Sequence, residues 1–256
     1  VVAPGTSILS TVPAYGKDSP EADYSQAYDR FTGTSMASPH VAGLAALILE
    51  KNSHWSPFDV KVALMNNAKV LNTEFYEVND QGAGRVQALQ TIQADTLVKV
   101  IDKTTYQEKG TSKEYDNITG SISFGNFTGT TAKKVQKKIR VEQLGANGGE
   151  FKVAVNSTVE TPGVSVTVDK ASFALNGQEE LVVTLEVPEG ITGVSEQQGY
   201  ITLTNGTRTY SVPYAAYFNL EITGIKYTKV FNDTESYLPH FPVNQKGQLE
   251  EISIGY

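Results

Sequence analysis

A serine stands where a short polar segment meets a long segment of small and apolar residues. Ser35 follows Thr32, Gly33 and Thr34, and the residues behind it read as a helix that packs deeply. Serine at a helix start is often only an N-cap. The same position also offers free N–H groups and the positive end of the helix dipole, which suit a nucleophilic hydroxyl. Both a capping and a catalytic role are therefore open for Ser35.

The residue types around Ser35 favour the catalytic role. Gly33 allows the backbone to turn tightly and to approach a ligand. Thr34 adds a second hydroxyl at the helix mouth, where anions are stabilised. The alanines and the glycine of residues 37–46 let the helix lie deep against a sheet and support an exposed serine rigidly.

A nucleophilic serine needs a base, and the chain has three histidines. His40 lies five residues beyond Ser35 on the predicted helix, which places it about 140° around the axis. Packing or hydrogen bonding in a buried helix is the expected role for His40. His54 is expected at the surface between two helices, and His240 lies in a polar tail with no evident partner. The sequence therefore predicts a nucleophile without its base.

Composition excludes several classes of function. The 256 residues carry a net charge of −7 without a basic stripe, which argues against nucleic acid and anionic membranes as partners. The longest apolar run, residues 41–49, is too short for a membrane span. There is no cysteine, so disulfides and thiolate metal sites are excluded. No acidic cluster has the spacing of a calcium loop, and no metal or cofactor is assigned.

The chain divides near residue 96 into two regions that differ in composition and in hydrophobic periodicity. The first predicts a strand, a polar loop and three helices, at residues 8–12, 14–32, 35–51, 56–68 and 86–94. The second predicts seven strands, near residues 98–101, 119–124, 135–142, 150–156, 163–168, 180–187 and 199–213. Asn205 and Gly206 form a hairpin signal inside the last of these. Seven short strands predict a β-sandwich.

A resemblance to a known family begins at the serine. The segment GTSMASPHVAG, residues 33–43, resembles the nucleophile signature of the subtilisin-like serine proteases at every fixed position. VAPGTSILST, residues 2–11, is similar to the family segment before the nucleophile, and GAGRV, residues 82–86, to the turn before the last catalytic-domain helix. Residues 96–220 resemble, by pattern only, the fibronectin type III-like domain that follows the protease in large bacterial members.

The resemblance implies a fold class and a domain organisation. Residues 1–95 would be the α/β C-terminal part of a subtilisin-like catalytic domain, and residues 96–220 an all-β fibronectin-III-like sandwich. Residues 221–256 would add a strand and a tail, compatible with the start of a truncated module. The chain begins with Val-Val-Ala-Pro-Gly rather than Met, and we expect a fragment of a secreted or cell-envelope bacterial protease.

The resemblance also implies roles for four residues. Ser35 would be the nucleophile that forms an acyl-enzyme with a protein or peptide substrate, and its N–H would contribute to the oxyanion hole. The Thr34 hydroxyl would assist there, Gly33 would lie near the substrate backbone, and Met36 would pack beside the nucleophile. Many family members bind structural calcium, but its ligands do not map onto this chain.

The partners of the nucleophile are missing from the sequence. In the family, the catalytic Asp and His and the oxyanion Asn precede the serine, and none of the 34 residues before Ser35 matches their motifs. We therefore expect an endopeptidase as the parent protein and an inactive chain on its own. We also expect the apolar helix of residues 35–51 to face water where its sheet is missing, and a second copy of the chain to cover it. An alternative is that the sandwich domain and the tail fold back onto this helix.

Two alternatives stay open at this stage. The sandwich could be a non-catalytic module that grips protein or cell-wall polymer, with residues 1–95 as the remnant of a pseudoprotease. An esterase or a peptide ligase would share the same acyl-enzyme. Upstream Asp and His motifs in the parent would separate an enzyme from a pseudoprotease.

Overall fold

The computed structural model describes residues 1–13, 27–128, 131–145, 148–191, 194–206 and 208–219. The elements in chain order are β1 (Ile8–Thr11), β2 (Tyr28–Phe31), α1 (Thr34–Lys51), α2 (Pro57–Asn66), α3 (Val78–Gln81), α4 (Ala88–Ile92), β3 (Thr96–Glu108), β4 (Thr111–Thr119), β5 (Ile122–Thr128), β6 (Lys133–Gln143), β7 (Gly149–Val159), β8 (Ser165–Val168), β9 (Ser172–Leu175), β10 (Gln178–Val187), β11 (Ser195–Asn205) and β12 (Arg208–Asn219). The strand and tail expected within residues 221–256 lie outside the described residues.

The two helices predicted over residues 35–51 and 56–68 are present with small shifts in their ends. α1 begins one residue earlier than expected, at Thr34. α2 begins at Pro57 with a complete capping box, in which the Ser56 side chain accepts from the Asp59 N–H and the Asp59 carboxylate accepts from the Ser56 N–H. The capping box is a local signal, and it therefore marked the start of α2 correctly.

Three short elements differ from the expectation. β2 pairs antiparallel with β1, from Ile8 opposite Phe31 to Thr11 opposite Tyr28, so the loop predicted over residues 14–32 is wrong at its end. Residues 14–26 lie outside the described part of the chain. α3 was not predicted because it has only four residues, and α4 is shorter than residues 86–94.

Ten strands form two five-stranded sheets. The first sheet has the order β4-β3-β6-β10-β8 and the second β5-β12-β11-β7-β9. Every pairing is antiparallel except that of β12 with β5. One apolar cluster draws on both sheets, with Ile139 and Leu181 from the first and Ile201 and Val212 from the second, so the sheets face each other across a common core. The second region thus consists of two packed sheets, and its assignment as a fibronectin-III-like domain stays a prediction.

Several strand boundaries differ from the predicted ones for identifiable reasons. The strand expected near 119–124 is divided, because β4 ends at Thr119 in one sheet and β5 starts at Ile122 in the other. Gly120 lies at this crossing, where a Cβ would come 3.0 Å from the Met65 Cβ. The outer parts of β3 and β4, residues 103–116, are exposed on both faces and show no alternation that a sequence pattern could detect.

The helices rest on the sandwich. Leu97 of β3 belongs to the apolar cluster of α1 and α2, together with Leu44 and Ile48. On β11, the Tyr200 hydroxyl donates a 2.9 Å hydrogen bond to the carbonyl of Gly82, in the turn before α4. Buried contacts therefore hold α1, α2 and the Gly82 turn against the sheets.

Candidate active site

Ser35 occupies the second position of α1, and its side chain is exposed. The N-cap residue is Gly33, with φ 159° and ψ 170°, and no side chain caps the helix. The capping role left open for Ser35 is therefore not what the structure shows. Gly33 and Thr34 are exposed beside it, and Met36 is half-buried next to the serine.

The segment before β1 braces the start of α1. The Gly33 N–H donates to the Gly5 carbonyl at 2.8 Å, and the Ser7 N–H donates to the Thr32 Oγ1 at 2.9 Å. A Cβ on Gly5 would lie 2.8 Å from the Gly33 carbonyl oxygen, which is closer than real Cβ atoms come. Gly5 is therefore needed for the close approach that positions the helix mouth.

Not every backbone N–H group at the N-terminus of α1 is hydrogen-bonded to a backbone carbonyl. The Gly33 carbonyl accepts from the N–H of Met36 at 3.1 Å and of Ala37 at 3.4 Å. Within the described residues, the N–H of Ser35 has no such backbone partner. A free N–H at a helix N-terminus can stabilise an oxyanion, because the helix dipole adds to its partial positive charge.

A pocket of about 360 Å³ adjoins the serine and has a largely apolar wall. Its lining comprises Ile8, Leu9, Ser10, Ser35, Met36, Pro39 and His40. β1 thus contributes one wall and the first two turns of α1 the other. The sequence pattern predicted β1 as a strand but not its position beside the serine, because that position depends on the pairing of β1 with β2.

His40 bonds to its own helix. Its Nδ1 lies 2.8 Å from the Met36 carbonyl oxygen, and because a carbonyl only accepts, this nitrogen carries a proton. The expected hydrogen-bonding role of His40 in the helix is confirmed, but the expected burial is wrong, because the side chain is exposed. His54 is exposed as expected, and His240 lies outside the described residues.

No base for Ser35 is found in the described ranges. In those ranges no His, Asp or Glu side chain is hydrogen-bonded to Ser35. In the same part of the chain, no three His, Asp or Glu side chains come together as a metal site would require. What the arrangement offers chemically is an accessible hydroxyl, a free N–H and a pocket.

Comparisons with known proteins relate the first part of the chain to a family. The subtilase family profile matches residues 1–120, which contain α1 and Ser35. Residues 1–120 therefore carry the sequence features of the subtilase family.

Three curated relatives illustrate the extent of the similarity. Minor extracellular protease Vpr of Bacillus subtilis (strain 168) is 32% identical over 189 residues, covering 73% of this chain and 22% of the relative. Subtilisin-like protease SBT2.6 of Arabidopsis thaliana is 28% identical over 215 residues, covering 80% of this chain and 23% of the relative. Subtilisin of Bacillus pumilus is 43% identical over 76 residues, covering 30% and 24%. The chain thus spans less than a quarter of the length of each of these relatives.

Solved structures resemble parts of the chain only weakly. One of them is a family 123 glycoside hydrolase from Clostridium perfringens, with a TM-score of 0.31 and 8% sequence identity. The alignment covers 38% of this chain and 23% of the hydrolase chain. A score this low carries no argument about function. Of the helices described, none has the length and apolar character that crossing a membrane requires.

Proposed function

We propose that this chain carries the nucleophile of a serine endopeptidase that hydrolyses peptide bonds through an acyl-enzyme at Ser35. The observation that carries the proposal is the exposed Ser35 side chain at the second position of α1, free of any capping bond and next to an apolar pocket. The Ser35 oxygen would attack the peptide carbonyl, form a new C–O bond and expel the amine. Its proton would pass to a base and then to the leaving amine.

The neighbours of Ser35 would support this chemistry. The Ser35 N–H would stabilise the oxyanion, with help from the Thr34 hydroxyl. Gly33 would lie along the substrate backbone, and Met36 would pack beside the nucleophile. The free N–H of Ser35 and the half-burial of Met36 support these roles.

The chain by itself would be inactive as a peptidase. Among the described residues no His, Asp or Glu side chain is hydrogen-bonded to Ser35, and the His40 imidazole is bonded to the Met36 carbonyl instead. In subtilisin the loss of the serine or histidine alone lowers turnover about 10⁶-fold. Activity would belong to the parent protein, which we propose to be a bacterial endopeptidase, either secreted or associated with the cell envelope. The similarity to minor extracellular protease Vpr supports export.

A fluorophosphonate probe tests the role of Ser35. We expect the parent protein to be labelled at Ser35, to lose labelling on Ser35→Ala and to keep it on Ser38→Ala, an exposed serine on the same helix. The chain of residues 1–256 should neither react with the probe nor cleave a peptide. Labelling that survives Ser35→Ala would contradict the assignment, and cleavage by the isolated chain that disappears in Ser35→Ala would contradict its inactivity.

The sandwich supports a second candidate function. We propose a fibronectin-III-like domain over residues 96–220, after a catalytic part over residues 1–95, that serves as a non-catalytic binding module. On the β3–β4 hairpin, Tyr106 and Tyr115 are 42% and 46% exposed, with ring centroids 4.7 Å apart and hydroxyls hydrogen-bonded at 2.6 Å. Exposed tyrosines are typical of binding surfaces.

Co-sedimentation with insoluble cell-wall polymer tests this second function. We expect the chain to sediment with the polymer and the double variant Tyr106→Ser/Tyr115→Ser to remain in the supernatant. Tyr76→Ser, which removes another exposed tyrosine, is the matched control and should still bind. Equal sedimentation of all three proteins would contradict the proposed role of the hairpin.

A further inference from the structure

The second sheet loses its outermost strand partway along β7. β9 pairs with β7 over residues 149–152, and the Val153 N–H then donates to the Ala171 carbonyl at 2.8 Å. Beyond this point β7 continues to Val159, and in the described part of the chain only β11 pairs with it there. The outer edge of residues 154–159 is therefore open, and we refer to it as the β7 notch.

Backbone groups in the β7 notch lack partners. In an antiparallel ladder, successive residues direct their N–H and C=O groups to opposite sides, so alternate residues share a side. Because the Val153 N–H points away from β11 to Ala171, the groups of Val155 and Ser157 point to the same outer side. Neither residue forms a backbone hydrogen bond there with another described residue. An open strand edge of this kind can accept a further strand.

The apolar core is incompletely covered beside the β7 notch. Ile201 and Leu203, on the neighbouring strand β11, are completely buried. By contrast, five core valines on β7, on β8 and in the segment between them are only partly buried: Val153, Val155, Val164, Val166 and Val168. β8 pairs with β10 in the first sheet, so the two sheets stay open towards solvent on this side. A strand in the β7 notch would remove these valines from water.

A pocket of about 450 Å³ lies between β7 and β8. Its lining includes the apolar side chain of Val166 and the polar side chains of Ser157 and Gln197. Gln197 is only 2% exposed, and its Oε1 accepts from the Thr161 N–H at 2.9 Å. The Ser157 Oγ lies 3.0 Å from the hydroxyl of the buried Tyr214. These bonds fix the polar groups of the pocket in place.

Glu160 gives this pocket a negative charge. It directly follows β7 and lines the pocket, and it forms no ion pair with any lysine or arginine in the described ranges. Burial is the main reason that the pKa of Tyr214 is raised above 10.0, and the charge of Glu160 adds to the rise, against hydrogen bonds from Ser157 and Gln197 that lower it. The negative charge is therefore felt at the Tyr214 hydroxyl and favours a cationic group in the pocket.

We propose that the β7 notch binds an extended peptide, which adds a strand to the second sheet and brings a lysine or arginine to Glu160. The peptide would run antiparallel to β7, as β9 does, and its backbone would pair with Val155 and Ser157. Its inward side chains would cover the partly buried valines. Because Glu160 follows the C-terminal end of β7, the basic residue would stand near the N-terminal end of the peptide.

This site is separate from both proposed functions. It uses neither Ser35 nor the tyrosines of the β3–β4 hairpin, so the failure of either function would leave the peptide site unaffected. The sequence could not indicate it, since the open edge depends on where β9 stops pairing with β7 and on β8 joining the other sheet.

Fluorescence anisotropy with labelled peptides tests the proposal on the chain of residues 1–256. The probe is N-acetylated Lys-Thr-Val-Thr-Val-Thr with fluorescein at its C-terminus, which places lysine and both valines inward. We expect saturable binding. The N–H groups of the inward residues face β7, so N-methylation of both valines should weaken binding at least tenfold. N-methylation of the two threonines that precede the valines should leave binding unchanged, because their N–H groups face away.

Variants of the chain locate the basic residue. Glu160→Gln should weaken binding of the lysine peptide about two- to fivefold and leave unchanged the binding of a peptide with norleucine in place of lysine. Glu150→Gln is the matched control, because Glu150 is an exposed glutamate on the part of β7 that β9 covers. It should bind both peptides like the parent chain.

Hydrogen exchange followed by NMR locates the added strand. We expect the peptide to slow exchange of the Val155 and Ser157 N–H groups and to change that of Val153 little, since its N–H is already bonded to Ala171. The proposal is overturned if no peptide binds saturably, if the two N-methylated peptides bind equally well, or if exchange at Val155 and Ser157 is the same with and without peptide. Equal binding of the lysine peptide to the parent chain and to Glu160→Gln would overturn the assignment of its basic residue to Glu160.

Discussion

The side chain of Asn66 pairs with both backbone polar groups of Val98. Its Nδ2 donates to the Val98 carbonyl at 3.1 Å, and its Oδ1 accepts from the Val98 N–H at 2.8 Å. Both residues are completely buried. The last residue of α2 thus acts towards β3 as a neighbouring strand would, and it satisfies the backbone of β3 where the helix covers the sheet.

Replacing Asn66 should therefore be costly. Asn66→Ala leaves a buried N–H and a buried C=O without partners, and we expect the free energy of unfolding to fall by about 2–5 kcal/mol. Asn67→Ala is the matched control, since Asn67 is also buried but donates only one bond, of 2.9 Å, to the Ala63 carbonyl in its own helix. It should cost about 1 kcal/mol in the same urea titration. Equal losses would show that the pairing with Val98 is not what matters.

Lys99 of β3 forms ion pairs with a residue of α2 and a residue of β6. Its Nζ lies 2.7 Å from Asp59 Oδ1 at the start of α2 and 2.6 Å from Glu142 Oε2 on β6. Partial burial by itself lowers the pKa of Lys99, but the hydrogen bonds to Asp59 and Glu142 outweigh it and raise the pKa above 10.5. The lysine therefore stays charged at neutral pH and holds two carboxylates that are themselves largely covered.

We expect Lys99→Met to destabilise the chain by about 1–3 kcal/mol, because it leaves two partly buried carboxylates facing each other. Lys103→Met is the control. Lys103 pairs with Glu114 at 2.7 Å, but both side chains are more than half exposed. Its loss should leave the stability nearly unchanged, because solvent screens an exposed ion pair. Chemical denaturation of the two variants side by side makes the comparison, and equal effects would contradict the structural role of Lys99.

The sequence predicted local features of this fold better than long-range ones. The capping box from Ser56 to Asp59 and the hairpin signal at Asn205 and Gly206 depend on neighbours in the chain. The capping box was found where predicted, and the hairpin was found with Asn205 at the end of its strand, paired with Arg208. Phe31 pairs with Ile8 from across the undescribed residues 14–26, so no local pattern showed β2 as a strand. The pairing of Asn66 with Val98 depends on packing and was not foreseen.

At the candidate site, too, the local features were predicted and the long-range ones were not. The serine and its helix were predicted because the signature is a continuous segment, residues 33–43. The bracing of Gly33 by Gly5 and the wall formed by β1 depend on tertiary structure. The roles assigned to Thr34 and Met36 stay predictions, since a reaction rather than a structure tests them.

Tyr200 should make the contact between β11 and the Gly82 turn sensitive to alkali. Burial raises the pKa of the Tyr200 hydroxyl to about 12, from an ordinary value of 10.0. A raised pKa means that the folded state holds its proton more tightly, so the stabilisation is complete below pH 10 and is lost as the pH rises from 10 towards 12.

We expect Tyr200→Phe to lower stability by about 1 kcal/mol at pH 7, where it removes the hydrogen bond to Gly82, and to show a shallower loss of stability between pH 10 and 12. The two proteins should therefore converge in stability as the pH rises. Tyr76→Phe, at an exposed tyrosine, should follow the parent chain throughout. Urea unfolding across this pH range provides the measurement, and parallel curves for the parent chain and Tyr200→Phe would contradict the prediction.

Exposed apolar side chains on α1 and on the β1–β2 pair could be buried by self-association of the chain. Leu47 and Leu49 are 50% and 39% exposed, and on β1 and β2 Leu9 and Phe31 are 54% and 47% exposed. The expectation that this helix faces water is therefore confirmed, whereas its covering by a second copy stays a prediction. Exposed apolar side chains on neighbouring elements favour association, because burying them removes their surface from water.

We expect sedimentation velocity to show association of the chain that grows with concentration, and Leu9→Gln/Leu47→Gln to shift it towards the monomer. Each buried leucine contributes about 1.5–3 kcal/mol, so the double variant should weaken association at least tenfold. Phe75→Gln is the matched control, because Phe75 is 75% exposed but lies between α2 and α3, and it should associate like the parent chain. A parent chain that stays monomeric at every concentration, or a control that weakens association as much as the double variant, would show that this face does not join copies.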